Sequence, residues 1–469
     1  MAEISPILAF AKRNLEHSLD RLCALLKLPT VSTDQAHSGD CLAGAQWLAN
    51  ELTALGFDAS VRPTGGHPAV VAHYRPNGTS VPVSHVFFYG HYDVQPVDPL
   101  DEWLTPPFKP RIVRDKNGGG RIVARGAQDD KGQLMTFLEA VRAWIKVKGR
   151  LPLAVTILIE GEEEVGSPNL RSFLEANTEE LSHDVALVCD TNMWDRETPA
   201  ISTRLRGLLA EEIVVTGPSR DLHSGLYGGP ARNPIRVLTR ILGQLHDDGG
   251  QIAIAGFYDH VAPLSPDIKV RWDALDFSGS GFLGEVGLSR PAGESGFSVL
   301  EQLWSRPACD INGIVGGYTG EGTKTVIAAK AAAKISFRLV PDQNPEALRE
   351  TFHDFVRRRI PDDCEVEFIN HAASPAIDIP VENRYLKRAV KALDDEFSRP
   401  TVLMGCGGSI PIAASLREIL KMDSLMVGFG LPDDRIHSPN EKYEISSFYR
   451  GIRSWIRILA ELAAIRPSG

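Results

Sequence analysis

The sequence predicts an α/β protein: a main domain with a mixed sheet flanked by helices, and a smaller α+β domain inserted into it. Two observations predict this class. Helical and strand patterns alternate from the N-terminus to about residue 202, as in a sheet with helices on its faces. From about residue 203 the character of the chain changes: a glycine-rich loop and a helix are followed by a long stretch rich in Gly, Ser and Pro up to about residue 298, and strand and helix then alternate locally up to residue 375. We therefore expect a first segment at 1–202, an insertion at 203–375 and a second segment at 376–469.

Composition excludes several classes of function. Of the 469 residues, 43% are hydrophobic and 23% charged, as in ordinary globular proteins. The formal net charge of -10 argues against nucleic acid or an anionic membrane as the main partner. No apolar run approaches the ~18 residues of a membrane span, and no signal peptide is visible. The six cysteines are scattered without a Cys-x-x-Cys pair, which favours free thiols and a cytoplasmic location.

The N-terminal elements alternate in type. Leucines at helical spacing predict a helix from Ser5 to Leu28, which Pro29 ends. A second helix is predicted from Asp40 to Leu55, with Gly56 at its C-terminal end. Short strands are then expected at Asp58–Arg62 and Ala69–His73.

A third predicted strand, Val86–Tyr89, carries the first candidate site residues. Gly90 ends this apolar run, so His91 and Asp93 lie where the strand opens into a loop. Open α/β sheets bind ligands at the carboxyl ends of their strands. A histidine followed by an acid can bind a metal while the carboxylate fixes the imidazole tautomer. The alternative is a His and an Asp that only solvate a loop.

Acidic residues recur at comparable positions further along. Asp129 and Asp130 lie between two glycines, directly before a predicted helix at Gln133–Val147, where carboxylates can also act as caps. The apolar strand Leu151–Ile159 runs into the acidic segment 160–164, and the strand Val185–Val188 is followed by Asp190. Clustered carboxylates are electrostatically costly unless a cation neutralises them.

The insertion and the C-terminal segment contain further elements. A strand is expected to end near Gly217, before a glycine-rich loop that contains His223. The remaining predicted elements are helices at Pro234–His246, Pro345–Arg358, Arg384–Glu396 and Ser446–Ile465, and strands at Val326–Ala329 and Ala333–Leu339. Local strand and helix pairing of this kind indicates an α+β domain.

Two imidazoles and three carboxylates stand out as metal ligands: His91, Asp129, Glu164, Asp190 and His437. Imidazole with carboxylate suits Zn²⁺ and, less selectively, Mn²⁺ or Co²⁺. Five ligands are too many for one catalytic zinc with an open position. They suit two ions ~3.5–4 Å apart that share a bridging carboxylate. The neighbouring acid, Glu163, can then serve as general base.

These motifs resemble the M20 family of metallopeptidases, in the branch of carnosinase-like cytosolic dipeptidases. The resemblance covers nearly the whole chain. It rests on the segments 91–96, 125–132, 160–167, 221–225, 324–327, 338–341 and 437–441. It implies a zinc-exopeptidase-like catalytic domain, with the insertion acting as lid and dimerisation domain.

The resemblance also implies roles for single residues. His91 and Asp190 would hold one metal, Glu164 and His437 the other, and Asp129 would bridge them. Asp93 would orient His91, Glu163 would be the base, and the Asp129–Asp130 bond would be cis.

For the substrate, the resemblance implies contacts from the inserted domain and from a glycine-rich loop. Arg338 would bind the terminal carboxylate of the substrate, while Thr325, Ser409 and Gly408 would hold its backbone. His223 would stabilise the oxyanion in the active site of the partner subunit, so a homodimer is implied.

Some alternatives stay open. Three consecutive glutamates leave the base uncertain by one position, and the following Val165-Gly166-Ser167 fixes the register on Glu163. A lone His223 in a glycine-rich loop could be a solvated turn residue. The predicted activity is hydrolysis of dipeptides or short peptides with a free C-terminus. The alternatives are an N-acyl-amino-acid deacylase with the same site, and a peptide-binding protein without activity.

Overall fold

The computed structural model describes residues 3–76, 83–116, 119–408 and 411–465. Contacts between Cα atoms divide the chain into two compact units. Unit 1 comprises Met1–Thr203, Ile379–Leu403 and Pro411–Gly469, and unit 2 comprises Arg204–Asp378 and Met404–Ile410. The short segment 404–410 thus groups with unit 2, whereas the sequence prediction placed it in the second segment of the main domain. The roles expected for the inserted domain stay predictions.

Strands and helices are numbered here in chain order. The strands are β1 Asp58–Arg62, β2 Ala69–Tyr74, β3 His85–His91, β4 Arg111–Arg114, β5 Gly120–Val123, β6 Ala154–Glu160, β7 Val185–Val188, β8 Ala200–Leu205, β9 Gly207–Thr216, β10 Leu222–His223, β11 Ala308–Gly316, β12 Val326–Ile327, β13 Lys330–Leu339, β14 Glu365–Ser374, β15 Ile377–Asp378, β16 Val402–Cys406, β17 Ser424–Met426 and β18 Lys442–Glu444. The α-helices are α1 Ser5–Arg13, α2 Leu15–Leu26, α3 Ser38–Ala54, α4 Lys131–Lys148, α5 Leu170–Ala176, α6 Thr178–Leu181, α7 Ser224–Tyr227, α8 Pro234–Leu242, α9 Pro266–Asp273, α10 Gly279–Gly284, α11 Val299–Trp304, α12 Pro345–Arg357, α13 Arg384–Phe397, α14 Pro411–Glu418 and α15 Ile445–Leu462.

The sheet of unit 1 is mixed, which confirms the predicted fold class. Its strands follow the order β1-β2-β6-β3-β7-β17-β8. The four central strands, β6, β3, β7 and β17, are parallel to one another, and β1, β2 and β8 are antiparallel to their neighbours. The carboxyl ends of the four parallel strands therefore meet at one edge of the sheet. Phe88 of β3 stacks on Phe137 of α4 at 3.8 Å between ring centroids, and both rings are fully buried.

Unit 2 is built on an antiparallel sheet in the order β11-β13-β9-β14. Helices α8 and α12 pack against it through a cluster of buried apolar residues that includes Leu238, Ile241, Phe337 and Phe352. This arrangement is the α+β organisation expected for the insertion.

Several elements differ from the sequence prediction. The first predicted helix is two helices that meet at Asn14, whose side chain donates to the carbonyl of Phe10 at 3.0 Å. Such local side-chain bonding competes with a continuous helix. Strands β11 and β14 were not predicted, because both are edge strands that carry many exposed residues and lack a continuous apolar run. Within the described residues, no helix has both the length and the apolar character needed to cross a membrane.

A histidine pair in unit 1 predicts acid sensitivity. The rings of His85 and His183 stack at 3.5 Å, and burial followed by nearby positive charge lowers the pKa of His85 to about 4 and of His183 to about 3. In the unfolded chain both titrate near 6.5. Between pH 6.5 and about 4 the unfolded chain therefore binds protons that the folded protein does not, and the free energy of unfolding decreases as the pH falls.

Replacing His183 by phenylalanine should make this decrease shallower. Phenylalanine keeps a flat ring for stacking and cannot be protonated, and Nε2 of His183 is buried without a hydrogen-bond partner in the described part of the chain. The measurement is urea unfolding of both proteins across this pH range. Parallel stability curves for wild type and H183F would contradict the assignment of the acid sensitivity to this pair.

Candidate metal centre

The predicted ligands come from loops at the carboxyl edge of the parallel strands. His91 ends β3, and Asp190 lies two residues after β7. Glu164 lies in the 3₁₀ turn Glu163–Val165 that follows β6. Asp129 precedes α4, and His437 lies in the loop before β18. The parallel order of β6, β3 and β7 brings their ends together, and the two loops add the remaining side chains.

Asp129 connects two groups of side chains. Its Oδ1 lies 3.2 Å from Nε2 of His91, and its Oδ2 lies 3.0 Å from Nε2 of His437. On the first side, Nε2 of His91 is also 3.9 Å from Oδ2 of Asp190. On the second side, Nε2 of His437 is 3.3 Å from Oε2 of Glu164. The structure thus holds two trios of nitrogen and oxygen donors that share one carboxylate, and within each trio the donor atoms lie within 4.8 Å of one another.

Burial and charge at this edge suit divalent cations. Nε2 of His91 is buried and has no hydrogen-bond partner among the described residues, although it faces two carboxylates. Burial, reinforced by the charge of Asp129, raises the pKa of Asp190 to about 8. Hydrogen bonds to Asp129 and Glu164 raise the pKa of His437 to about 10. The raised pKa values of Asp190 and His437 reflect an excess of negative charge at this edge of the sheet. Bound divalent cations would neutralise that charge in place of protons.

Asp93 links the histidine to the acidic turn. Its Oδ1 lies 3.3 Å from Nδ1 of His91. Its two carboxylate oxygens also accept hydrogen bonds from the backbone N–H groups of Glu163 and Glu164, at 3.2 and 3.0 Å. The fully buried carboxylate of Asp93 thus fixes the turn as well as the ring, and only the contact with the ring was expected from the sequence.

The structure separates the three consecutive glutamates by their contacts. Both carboxylate oxygens of Glu162 accept from Nδ2 of Asn169, at 3.1 and 2.9 Å. Glu162 belongs to neither of the two trios. Glu164 belongs to one of the two trios. Burial raises the pKa of Glu163, and the negative charge of Glu164 adds to this increase. A carboxylate with raised proton affinity is suited to take a proton.

Two contacts at the site involve residues for which the sequence suggested no role in a metal centre. Asp130 was considered as a helix cap, and its side chain makes no capping hydrogen bond to α4. Nε2 of Gln95 donates to Oε2 of Glu164 at 2.8 Å, and Oδ2 of Asp130 accepts from the backbone N–H of His91 at 3.1 Å. Gln95 and Asp130 both lie within motifs that carried the family resemblance. Their place in these motifs is the only feature of the sequence that could have pointed to a role at the site. The Asp129–Asp130 peptide bond is cis, as the resemblance implies.

The predicted substrate-binding residues that the structure describes belong to unit 2. His223 of β10 pairs with Val326 of β12, and the backbone N–H of Ser224 donates to the carbonyl of Thr325 at 3.0 Å, so His223 and Thr325 are close neighbours. Arg338 lies on β13, and Gly408 lies in the segment 404–410. Ser409 lies outside the described residues.

The side chains of His223 and Arg338 have the chemistry that their predicted roles require. Nδ1 of the exposed His223 accepts from the backbone N–H of Gly225 at 3.0 Å, so the neutral ring carries its proton on Nε2 and can donate there. Arg338 has no carboxylate within 4.0 Å in the described part of the chain. Burial, together with the positive charge of Arg338, lowers the pKa of Arg206 to about 10. An anion bound beside Arg338 would relieve this repulsion.

Comparison with known proteins adds independent information. The model of the peptidase family M20/M25/M40 matches residues 87–461. The Cys-Gly metallodipeptidase dug1 of Schizosaccharomyces pombe is 30% identical over 463 residues, which cover 95% of this chain and 96% of that protein. The human Beta-Ala-His dipeptidase is 30% identical over 412 residues, 83% of this chain and 80% of that protein.

Solved structures show the same similarity. The M20 family metallo-carboxypeptidase Sso-CP2 from Sulfolobus solfataricus superposes with a TM-score of 0.82 at 29% identity, over 96% of this chain and 99% of that one. The match to the family model, over residues 87–461, includes the segments that supply all five predicted ligands.

Proposed function

Since this chain belongs to peptidase family M20/M25/M40, we propose that it is a metallo-exopeptidase that hydrolyses dipeptides or short peptides with a free C-terminal carboxylate. The names of two relatives, a Cys-Gly metallodipeptidase and a Beta-Ala-His dipeptidase, support the substrate class. The observation that carries the proposal is the carboxylate of Asp129, whose two oxygens face two separate trios of ligands.

The site would hold two divalent ions, with Zn²⁺ as the first choice and Mn²⁺ or Co²⁺ as alternatives. His91 and Asp190 would bind one ion, Glu164 and His437 the other, and Asp129 both. When bound, such a pair supplies Lewis-acid polarisation of the scissile carbonyl and a lowered pKa of a water molecule.

The side chains of the protein would supply the remaining steps. Glu163 takes a proton from the attacking water and delivers it to the leaving amine, which its raised pKa favours. Arg338 binds the terminal carboxylate of the substrate, and Nε2–H of His223 donates to the oxyanion. Thr325, Gly408 and Ser409 bind the peptide backbone. Recognition of the terminal carboxylate would confine cleavage to the end of a peptide.

Removal of metal is expected to abolish hydrolysis. Dialysis against a chelator should reduce turnover of a dipeptide such as Cys-Gly to background, and added Zn²⁺, Mn²⁺ or Co²⁺ should restore it, because carbonyl polarisation depends on the ions. The assay should include N-acetyl amino acids, since faster turnover of these would identify a deacylase instead. Full activity of protein shown to be metal-free, or no turnover across a broad peptide panel, would contradict the proposal.

We further propose a homodimer formed through unit 2 and a location in the cytoplasm. Strand β11 is an edge strand of the unit 2 sheet, and it exposes Ile311, Ile314 and Val315, the last to 70%. An exposed apolar edge strand is a common site of pairing with another chain. All six cysteines are free, which supports a reducing compartment.

Mixed dimers can test whether His223 acts across the dimer interface. A Glu163→Ala protomer lacks the base, and a His223→Ala protomer lacks the oxyanion donor. If His223 acts in trans, the mixed dimer has one complete site. Mixing the two inactive proteins should then recover about one quarter of the wild-type activity, because half of randomly assorted dimers are mixed. No recovery, with subunit exchange verified, would place His223 in its own protomer's site.

A further inference from the structure

Glu441 makes an unusual number of contacts to a single loop. Its Oε2 accepts from Nη1 of Arg125 and from the backbone N–H of Gly126, both at 2.9 Å. Its Oε1 accepts from the backbone N–H groups of Gln128 and Asp129, at 2.9 and 3.1 Å. One carboxylate thus takes four hydrogen bonds from the residues that lead to the shared Asp129. Glu441 itself is fully buried.

The loop needs such an anchor because it has no regular structure of its own. Residues 124–130 contain neither helix nor strand, and Gly126 has a φ of +78°, in the left-handed region. Buried backbone N–H groups without partners are costly. The carboxylate of Glu441 accepts from three backbone N–H groups of the loop, those of Gly126, Gln128 and Asp129. The backbone carbonyl of Glu441 accepts from a further one, the N–H of Ala124, at 3.1 Å. The position of the backbone at Asp129 therefore depends on Glu441.

The same chain segment also carries a predicted ligand. His437 lies four residues before Glu441, and Asp129 contacts both residues: its side chain faces His437, and its backbone N–H donates to Glu441. Because the two oxygens of Asp129 face opposite trios, any shift of its backbone changes both trios at once. Both oxygens of Glu441 accept two hydrogen bonds each, and an amide has only one acceptor oxygen, which favours an acid over an amide at this position.

We propose that Glu441 is a positioning residue that holds Asp129 between the two ion sites. The inference rests on the proposed function, in that it assumes ions bound at both trios. Partners outside the ligand set commonly change metal affinity or activity 10–100-fold. A purely structural ion pair between Glu441 and Arg125 would instead affect stability alone.

Glu139 provides a matched control in the same unit. It is also a buried glutamate and lies on α4. Its carboxylate accepts from Oγ of Ser18 and from Nε of Arg21, both at 2.7 Å. Glu139→Gln and Glu441→Gln each replace a buried, hydrogen-bonded carboxyl group by an amide and should both lower the melting temperature. Only Glu441→Gln places an NH₂ group against two N–H donors of residues 125–129, whichever way the amide is oriented.

The experiment compares wild type, E441Q and E139Q as full-length proteins freed of metal. Zn²⁺ affinity is measured by competition with a chelating dye, and the visible absorption spectrum is recorded after Co²⁺ substitution. We expect E441Q to bind Zn²⁺ about 10–100-fold more weakly and to show an altered Co²⁺ spectrum, while E139Q keeps the wild-type affinity and spectrum. If E441Q does not fold, E441D replaces it, since a side chain one methylene shorter cannot keep all four contacts.

Each outcome bears on a different claim. Wild-type Zn²⁺ affinity and Co²⁺ spectrum in the Glu441 variant would overturn the positioning role while leaving the proposed function intact. Equal losses in E441Q and E139Q would also overturn it, because the effect would then follow stability. Failure of the wild-type protein to bind any of Zn²⁺, Mn²⁺ and Co²⁺ would overturn the proposed function itself, and with it this inference.

Discussion

Replacing Glu163 by alanine is expected to lower kcat by about 10²–10⁴-fold, the range that a general acid–base residue contributes, while the bound metal stays. The carboxylate lies beside the two trios without belonging to either, so its removal should leave the ligands in place. The measurement combines kcat for a dipeptide with metal analysis of the same sample.

Glu162 is the matched control for this substitution. Glu162→Gln keeps a side chain of the same shape, and its amide oxygen can still accept from Asn169. We expect kcat close to the wild-type value. A large loss in E162Q together with an active E163A protein would show that the base has been assigned one position too late.

Replacing Asp129 by alanine is expected to abolish turnover and to remove both ions. Each trio would lose one of its three donors, whereas Asp190→Ala and His437→Ala each affect a single trio. Metal analysis should therefore find about two ions per chain in the wild type, about one in each single-trio variant and about none in D129A, as expected for a shared bridging ligand. Circular dichroism serves as the check that the variants are folded.

Two results of the metal analysis would argue against a bridging role of Asp129. If D129A lost the same amount of metal as D190A, Asp129 would serve one ion only. If D129A kept both ions and its activity, the side chain would have no role in binding.

The fold class was predictable because its signals are local. Val86–Tyr89 and Val185–Val188 are apolar runs of strand length, each with a candidate ligand two positions after its end, and the structure places both at the centre of the sheet. Edge strands such as β11 gave no such signal, because half-exposed backbone does not require an apolar run. Asn14 interrupts the first helix through its own side-chain bond, which leucine periodicity cannot reveal.

For the candidate site, the sequence predicted the ligands but not the hydrogen bonds that position them. Residue types suggested the five ligands, since imidazoles and carboxylates at strand ends have few other uses together. The hydrogen bonds that fix them depend on tertiary distances that spacing does not encode. Asp93 contacts the N–H groups of Glu163 and Glu164, about seventy positions away in the chain, and Glu441 contacts a loop more than three hundred positions away.

Anomalous diffraction from crystals loaded with Zn²⁺ tests the shared carboxylate most directly. The expected result is two peaks roughly 3.5–4 Å apart, one beside His91 and Asp190, the other beside Glu164 and His437, with Asp129 between them. A single peak, or peaks that Asp129 does not contact, would contradict the dinuclear centre.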